Sequence, residues 1–218
     1  MIKEKFKHIN LSKRVLTSVI FVPLMLILTY IGGLTYIIFT LILGFLSMRE
    51  LFTIVKKNKK FWKYWLCCGI FFISFFVMNL ISIRYKGLSY AIYLLIIVWT
   101  TDTSAFFFGI HFGGKKLAPN ISPGKTWSGF CGALITSGIL GITLHMLEII
   151  QLHENVLESM LSAIFISFCS QSGDLAESAF KRYFEVKDSG DILPGHGGIL
   201  DRFDGMIFAS FALIGLIS

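Results

Sequence analysis

The stretch YWLCCGIFFISFFVMNLIS, residues 64–82, contains no charged residue and decides the fold class. An α-helix rises about 1.5 Å per residue, so about 20 apolar residues cross the ~30 Å hydrocarbon core of a bilayer. The whole chain shares this character, since 55% of its 218 residues are hydrophobic and 15% are charged. A soluble domain carries roughly 25% charged residues. The sequence therefore predicts a membrane protein.

Apolar runs on both sides of this stretch predict further membrane helices. The last of them, 205–218, is short and either begins inside the preceding charged segment or crosses the bilayer in part. No segment is long enough to form a soluble domain with its own core. We expect an all-α, polytopic helical protein with about seven membrane segments, residues 1–218 forming a single helical transmembrane domain. The remaining runs are 15–31, 34–48, 88–108, 127–147 and 156–174, with a Gly32-Gly33 turn after the first.

The basic residues are distributed unevenly among the loops. If the N-terminus is cytoplasmic, all but two of the 20 Lys and Arg lie on the cytoplasmic side, the exceptions being Arg84 and Lys86. Cytoplasmic loops are enriched in Lys and Arg, which predicts this orientation. The formal net charge of +7 is spread over short loops, and it favours anionic lipid or small anionic substrates over nucleic acid. The polar segments 109–126 and 175–204 then face the cytoplasm.

Asp102 is an anomaly, because it lies near the end of the apolar run 88–108. A carboxylate there is costly unless it faces a cavity or a partner. It is therefore either a wall of a site or a helix-end residue solvated by lipid headgroups.

The sequence ISPGKTWSG, residues 121–129, contains the tripeptide GKT but does not form a P-loop. Pro119 stands where that motif has its first glycine. A P-loop also follows a β-strand, whereas this segment is predicted only to precede a membrane helix. What remains is Lys125 with the hydroxyls of Ser122 and Thr126 near a helix N-terminus, which suits an anionic phosphate. A solvated loop lysine explains Lys125 equally well.

Two carboxylates in GDLAESAFKR, residues 173–182, are predicted to share a helix face, because Asp174 and Glu177 are three residues apart. They repel each other unless a cation lies between them. Lys181 and Arg182 follow one turn later. An ion pair between Glu177 and Lys181 is the structural alternative, and it leaves Asp174 unexplained.

The sequence KDSGDILPGHGGILDRFDG, residues 187–205, combines acidic residues, one histidine and several glycines. Carboxylate oxygens beside glycines that permit close backbone approach suit Mg²⁺ holding a polyphosphate. Asp201 and Asp204 are again three apart and predicted on one helix face. His196 is either structural or holds the loop against phosphate. The acidic residues are Asp188, Asp191, Asp201 and Asp204.

Residues 178–204 resemble the signature of the phosphatidate cytidylyltransferase (CDP-diacylglycerol synthase) family, without departure. GDLAES at 173–178 and DTSAFFFG at 102–109 are similar to family segments. ISPGKTWSG resembles Ser-Pro-Lys-Lys-Thr-Trp-Glu-Gly, with Gly124 replacing a lysine and Ser128 the acid. About the first hundred residues resemble the family only as generic spans, and the chain looks one or two helices short there. The signature positions are Ser178, Phe180, Lys181-Arg182, Lys187-Asp188, Gly190, Leu193-Pro194, His196-Gly197-Gly198, Asp201-Arg202 and Asp204.

The resemblance implies that the protein transfers CMP from CTP to phosphatidate, with Mg²⁺, giving CDP-diacylglycerol and pyrophosphate in phospholipid biosynthesis. A second cation is left open. The main predicted metal ligands are Asp174 and Asp201, with Asp204 close behind, and the resemblance supports these three most. Glu177 and Asp188 are the second candidates. The predicted catalytic residues are Asp174, Asp201, Asp204, Lys181 and Arg202, within a catalytic segment at 173–204. The predicted substrate-binding residues are Asp102, Ser122, Lys125, Thr126, Arg182, His196, Gly197 and Gly198.

Two other functions stay as alternatives. A CTP-dependent lipid kinase acting on a polyprenol or phytol shares the general design. An ion-coupled transporter would use Asp102 and Asp174, but the densest polar residues are not at the bilayer midplane. We expect an integral protein of a bacterial-type inner (plasma) membrane, its site facing the cytoplasm. The sequence leaves three questions open. They are the acyl-chain preference, the choice between CTP and dCTP, and whether the protein is a monomer or a homodimer.

Overall fold

The computed structural model describes residues 11–57, 61–150, 152–192 and 197–217. These residues form seven α-helices and one β-hairpin, which confirms the all-α membrane class. Four of these helices, Gly33–Val55, Trp62–Lys86, Leu88–His111 and Trp127–Met146, are long and apolar enough to cross a membrane. In chain order the elements are α1 Leu11–Ile31, α2 Gly33–Val55, α3 Trp62–Lys86, α4 Leu88–His111, β1 Lys116–Ala118, β2 Ser122–Thr126, α5 Trp127–Met146, α6 Val156–Tyr183 and α7 Leu200–Ile217.

Several helices extend further into the polar segments than the sequence predicted. Helix α2 continues past residue 48 to Val55, and α6 continues past residue 174 to Tyr183. Helix α7 begins at Leu200, so the prediction that the last segment begins inside the charged stretch is confirmed. A membrane helix can continue beyond the hydrocarbon core, because water and headgroups solvate its charged side chains there.

The predicted polar loop 109–126 contains an antiparallel β-hairpin. Lys116 pairs with Thr126 and Ala118 pairs with Ser122, so the turn includes Pro119. Helix α5 starts directly after β2. The hairpin therefore fixes Lys125 at the end of a strand and one residue from a helix N-terminal cap.

The centre of the molecule is formed by α6, which packs against α4, α5 and α7. A buried hydroxyl of α4 links three helices, since Thr101 Oγ1 lies 3.1 Å from Ser137 Oγ and 2.8 Å from Ser167 Oγ. Helices α6 and α7 approach closely at two glycines. A Cβ at Gly173 would lie 2.7 Å from the Asp204 carbonyl oxygen, and one at Gly205 would lie 2.6 Å from Ser170 Oγ.

The two basic residues outside the predicted cytoplasmic side bind helix C-termini. Arg84 donates to the carbonyl oxygens of Thr29 (2.6 Å) and Tyr30 (3.2 Å), in the last turn of α1. Lys86 Nζ donates to the Ile217 carbonyl oxygen at 2.5 Å, the last residue of α7. The final carbonyls of a helix lack intrahelical donors and carry partial negative charge. Both exceptions to the charge bias thus have a structural role.

Candidate functional site

A salt bridge between Lys125 and Asp174 joins the hairpin to α6. Lys125 Nζ lies 2.6 Å from Asp174 Oδ2, with side chains 23% and 33% exposed. The same ammonium group lies 3.4 Å from the Gln171 carbonyl oxygen. The structure therefore brings together two predicted site residues from separate polar segments, and leaves both accessible to a ligand.

Four carboxylates from three helices form a cluster around this salt bridge. Asp204 of α7 interacts electrostatically with Asp174, Glu177 and Asp102. Asp102 of α4 is exposed, and it also interacts with the charges of Lys125 and Arg202. We call Asp102, Asp174, Glu177 and Asp204 the carboxylate cluster. Carboxylates that interact in this way repel one another unless a cation or a proton neutralises part of their charge.

Asp201 also interacts electrostatically with Glu177, but its two carboxylate oxygens are held by donors of the protein itself. Its Oδ1 accepts a hydrogen bond from Lys181 Nζ at 2.6 Å. Its Oδ2 accepts from the backbone N–H groups of Ser189 at 2.9 Å and Gly198 at 2.8 Å. The residue is 8% exposed. In this arrangement both carboxylate oxygens hold protein donors, and a metal-ligand role for Asp201 stays a prediction.

Lys181 balances two carboxylates. Its Nζ lies 2.5 Å from Glu177 Oε2 and 2.6 Å from Asp201 Oδ1. The predicted ion pair between Glu177 and Lys181 is confirmed. Lys181 was predicted as a catalytic residue, and its ammonium group is buried between two carboxylates, which already compensate its charge.

Three other predicted substrate-binding residues lie in or against the hairpin, and two of them make structural contacts. Thr126 is buried, and its hydroxyl caps α5 by accepting from the Gly129 N–H at 3.2 Å. Ser122 is half-buried in β2. Arg182 is exposed and donates to the carbonyl oxygens of Ile121 and Val186, both at 3.2 Å. Thr126 and Arg182 therefore hold the hairpin in place, which the phosphate-binding prediction did not foresee.

Gly197 and Gly198, two predicted substrate-binding residues, have different structural roles. Gly197 has a φ of 80° and a Cβ there would lie 2.6 Å from Asp201 Oδ2, so a side chain is excluded twice. Gly198 is buried and donates to Asp201. Asp188 and Arg202 are exposed, and the Asp188 carboxylate makes no hydrogen bond or ion pair with a described residue. His196 lies outside the described residues.

Glu50 of α2 is a buried polar residue that the sequence reasoning missed. It is 4% exposed and accepts hydrogen bonds from Ser189 Oγ, Ile199 N and Leu200 N, each at 2.9 Å. Its region resembles the family only as a generic span. Glu50 is the one acidic residue in the mostly apolar sequence 46–55, where Arg49 is the other charge, and this was the signal that could have identified it.

The carboxylate cluster offers the type of ligand that Mg²⁺ prefers, but it does not supply a complete set of ligands. Within the described ranges, no group of three or more His, Cys, Asp or Glu is arranged to hold a metal ion. Both Glu177 carboxylate oxygens are buried without a hydrogen-bond partner, although Oε2 contacts Lys181 as an ion pair. Asp204 Oδ1 accepts from the Gly205 N–H at 2.6 Å. Proteins usually bind Mg²⁺ through one or two carboxylates, water and substrate phosphates. Asp174, Asp204 and Glu177 are the residues that fit such a partial set.

Comparisons with known proteins identify relatives of this chain. A model of the Cytidylyltransferase family matches residues 60–217. A Staphylococcus haemolyticus protein named phosphatidate cytidylyltransferase is 45% identical over 159 residues, which is 72% of this chain and 60% of that protein. Proteins of the same name from Staphylococcus epidermidis and Staphylococcus aureus are 43% and 44% identical, with the same coverage. The chain thus spans about 60% of the length of these curated relatives.

The matched segment includes the whole carboxylate cluster, the hairpin that carries Lys125, and the loop that binds Asp201. It covers most of the chain, and the resemblance seen in residues 102–204 is thereby confirmed. The chain belongs to the cytidylyltransferase family.

Proposed function

We propose that the protein transfers CMP from CTP to phosphatidate, giving CDP-diacylglycerol and pyrophosphate. The observation that carries this proposal is the Lys125–Asp174 salt bridge inside the carboxylate cluster. It places an accessible ammonium group beside carboxylates that favour a cation, a combination suited to polyphosphate. The names of the relatives supply the substrate class.

The reaction requires positioning more than proton transfer. An oxygen of the phosphatidate phosphate attacks the α-phosphorus of CTP. The bond from that phosphorus to the oxygen leading to the β-phosphate breaks, and pyrophosphate leaves with those electrons. The attacking phosphate monoester is already anionic at neutral pH, so it needs little help from a general base. Orientation and charge neutralisation supply the acceleration.

Lys125 is the group best placed to contact substrate phosphates. It is partly exposed, unlike Lys181, and the hairpin fixes its backbone. Arg202 is exposed on α7 near Asp102, and it offers a second positive charge. Together they would orient the phosphates of CTP and phosphatidate.

Mg²⁺ would be held by Asp174 and Asp204, with Glu177 adjacent. When bound, it would neutralise the polyphosphate and the leaving pyrophosphate. Without it, like-charge repulsion between these carboxylates and the substrate phosphates would oppose binding, which is the physical reason to expect a metal requirement. A second cation stays an open part of this proposal.

The lipid would approach Asp102 from the bilayer. Phe106 and Phe107 follow it on α4 and are 64% and 56% exposed, so they offer an apolar surface to acyl chains. We place the site on the cytoplasmic side of a bacterial plasma membrane, where CTP is available. The positive-inside bias supports this orientation.

Purified protein in detergent, with phosphatidate and Mg²⁺, tests the proposal using CTP labelled at either the α- or the γ-phosphate. A cytidylyltransferase transfers only the α-label to the lipid phase, and excess chelator abolishes the transfer. A lipid kinase would transfer only the γ-label, to an added polyprenol or phytol. Asp204→Asn should lose transfer, with Glu154→Gln as an exposed carboxylate control outside the catalytic segment. No α-labelled lipid from folded wild-type protein would refute the proposal. The mass of the same preparation distinguishes a monomer from a homodimer.

A further inference from the structure

Glu50 brings a charge into the protein interior without an opposite charge beside it. Its carboxylate is 4% exposed, and it forms no ion pair within the described part of the chain. Burying an unpaired carboxylate is costly unless hydrogen bonds replace its hydration. Here three donors form such hydrogen bonds, and two of them are the backbone N–H groups of Ile199 and Leu200 at the N-terminus of α7. The positive end of that helix dipole also favours a negative charge.

The backbone on both sides of residues 193–196 packs directly against this carboxylate. A Cβ at Gly190 would lie 2.9 Å from Glu50 Oε1. A Cβ at Gly198 would overlap both Ser189 Oγ and Glu50 Oε2. Glycine at these two positions permits the close approach that the hydrogen bonds require.

Two carboxylates, those of Glu50 and Asp201, bind the same short segments of the chain. Ser189 donates its hydroxyl to Glu50 and its backbone N–H to Asp201. Gly198 donates to Asp201, while Ile199 and Leu200 donate to Glu50. The first turn of α7 is therefore fixed by α2 as well as by its own Asp201. Asp204 of the carboxylate cluster lies one turn further along the same helix.

We propose that Glu50 is a positioning residue for the active site. By fixing where α7 begins, it sets the placement of Asp204 opposite Asp174. Helix α2 lies outside the matched segment 60–217, so this role extends the functional machinery beyond the part that carries the family resemblance. In its kinetic part, the inference rests on the proposed transferase function.

The test uses three single variants of the full chain in detergent, and the double variant that combines Glu50→Gln with Ser189→Ala. Glu50→Gln keeps the shape, but it places an amide NH₂ against N–H or O–H donors. Ser189→Ala removes one donor to Glu50 and keeps the backbone bond to Asp201, so it is the milder variant if Glu50→Gln does not fold. Glu154→Gln is the control, because Glu154 is exposed and lies outside the predicted catalytic segment 173–204.

We expect Glu50→Gln to lower kcat by about tenfold or more, with KM for CTP changed less than about threefold, because the contact is to the scaffold and not to the nucleotide. Ser189→Ala should lower kcat by about threefold. In the Glu50→Gln background, the same Ser189→Ala change should cost less than about twofold, because the two residues act through one contact. The control should retain wild-type kcat.

Amide hydrogen exchange gives a readout that does not depend on the reaction. We expect the Ile199 and Leu200 amides to exchange about tenfold faster in Glu50→Gln, with helices α4 and α5 unchanged. Unchanged exchange, or kcat within about twofold of wild type in both Glu50→Gln and Ser189→Ala, would overturn the proposal. If wild-type protein lacks transferase activity, the exchange result alone decides whether Glu50 positions α7.

Discussion

Lys181 Nζ lies 2.6 Å from Asp201 Oδ1, and the two side chains are 10% and 5% exposed. This bond crosses from α6 to the first turn of α7, and the same ammonium group binds Glu177. Lys181 thereby connects the carboxylate cluster to the loop that Asp201 holds. The carboxylate cluster and the loop that Asp201 holds therefore both depend on the buried ammonium group of Lys181.

We expect Lys181→Met to destabilise the protein by about 3–5 kcal/mol, because it leaves two buried carboxylates uncompensated. Thermal unfolding in detergent measures the change. Lys57→Met, at an exposed position, should leave stability unaltered. Equal melting of the Lys181 and Lys57 variants would show that solvent already screens the Lys181 contacts.

Lys125 should act on substrate more than on stability. Lys125→Ala removes the accessible ammonium group beside Asp174, and we expect kcat/KM for CTP to fall by about 10²-fold. Lys125→Arg should recover part of this loss, because the charge is kept while the geometry changes. Steady-state kinetics with Lys115→Ala as the exposed control would check it. Full activity in Lys125→Ala would mean that this lysine is a solvated loop residue.

The sequence predicted the membrane class, most helix positions and the two carboxylate pairs, because these depend on local composition and spacing. It failed where the partners are distant. Glu50 binds residues 139 to 150 positions away, which no local pattern reveals. Asp201 and Asp204 were predicted on one helix face, and residues three apart differ by only about 60° around a helix axis. Their spacing could not show that Lys181 and two backbone N–H groups hold the Asp201 carboxylate, while Asp204 interacts with Asp174, Glu177 and Asp102.

Close contact between α6 and α7 should be essential to the cluster. A Cβ at Gly173 would lie 2.7 Å from the Asp204 carbonyl oxygen, and backbone cannot move aside as a flexible side chain can. We expect Gly173→Ala to cost about 1–3 kcal/mol of stability and to separate Asp174 from Asp204. Turnover should fall by at least about tenfold, because small displacements at a site have large kinetic effects. Gly124→Ala is the matched folding control, since a Cβ there meets nothing within 4 Å. Wild-type turnover in Gly173→Ala would show that the helices can separate without disturbing the site.

Thr126 should contribute to stability through its cap. Its hydroxyl accepts from the Gly129 N–H, and Thr126→Val removes that acceptor while keeping the side-chain volume. We expect a loss of about 1 kcal/mol. Thr126→Ser keeps the hydroxyl and should unfold close to the wild-type temperature. If both variants retain stability while Thr126→Val alone loses CTP affinity, the hydroxyl serves the substrate, as the sequence first suggested.

The orientation of the chain is testable at the two ends of α6. Glu154 and Glu185 flank this helix of 28 residues, which is about 42 Å long. With the four native cysteines replaced, we expect Glu154→Cys to react with an impermeant maleimide in intact cells. Glu185→Cys should react only after the membrane is opened, because the positive-inside bias places that end in the cytoplasm. The reverse pattern would put the carboxylate cluster on the outer face, away from CTP, and would contradict the proposed transferase as well as the topology.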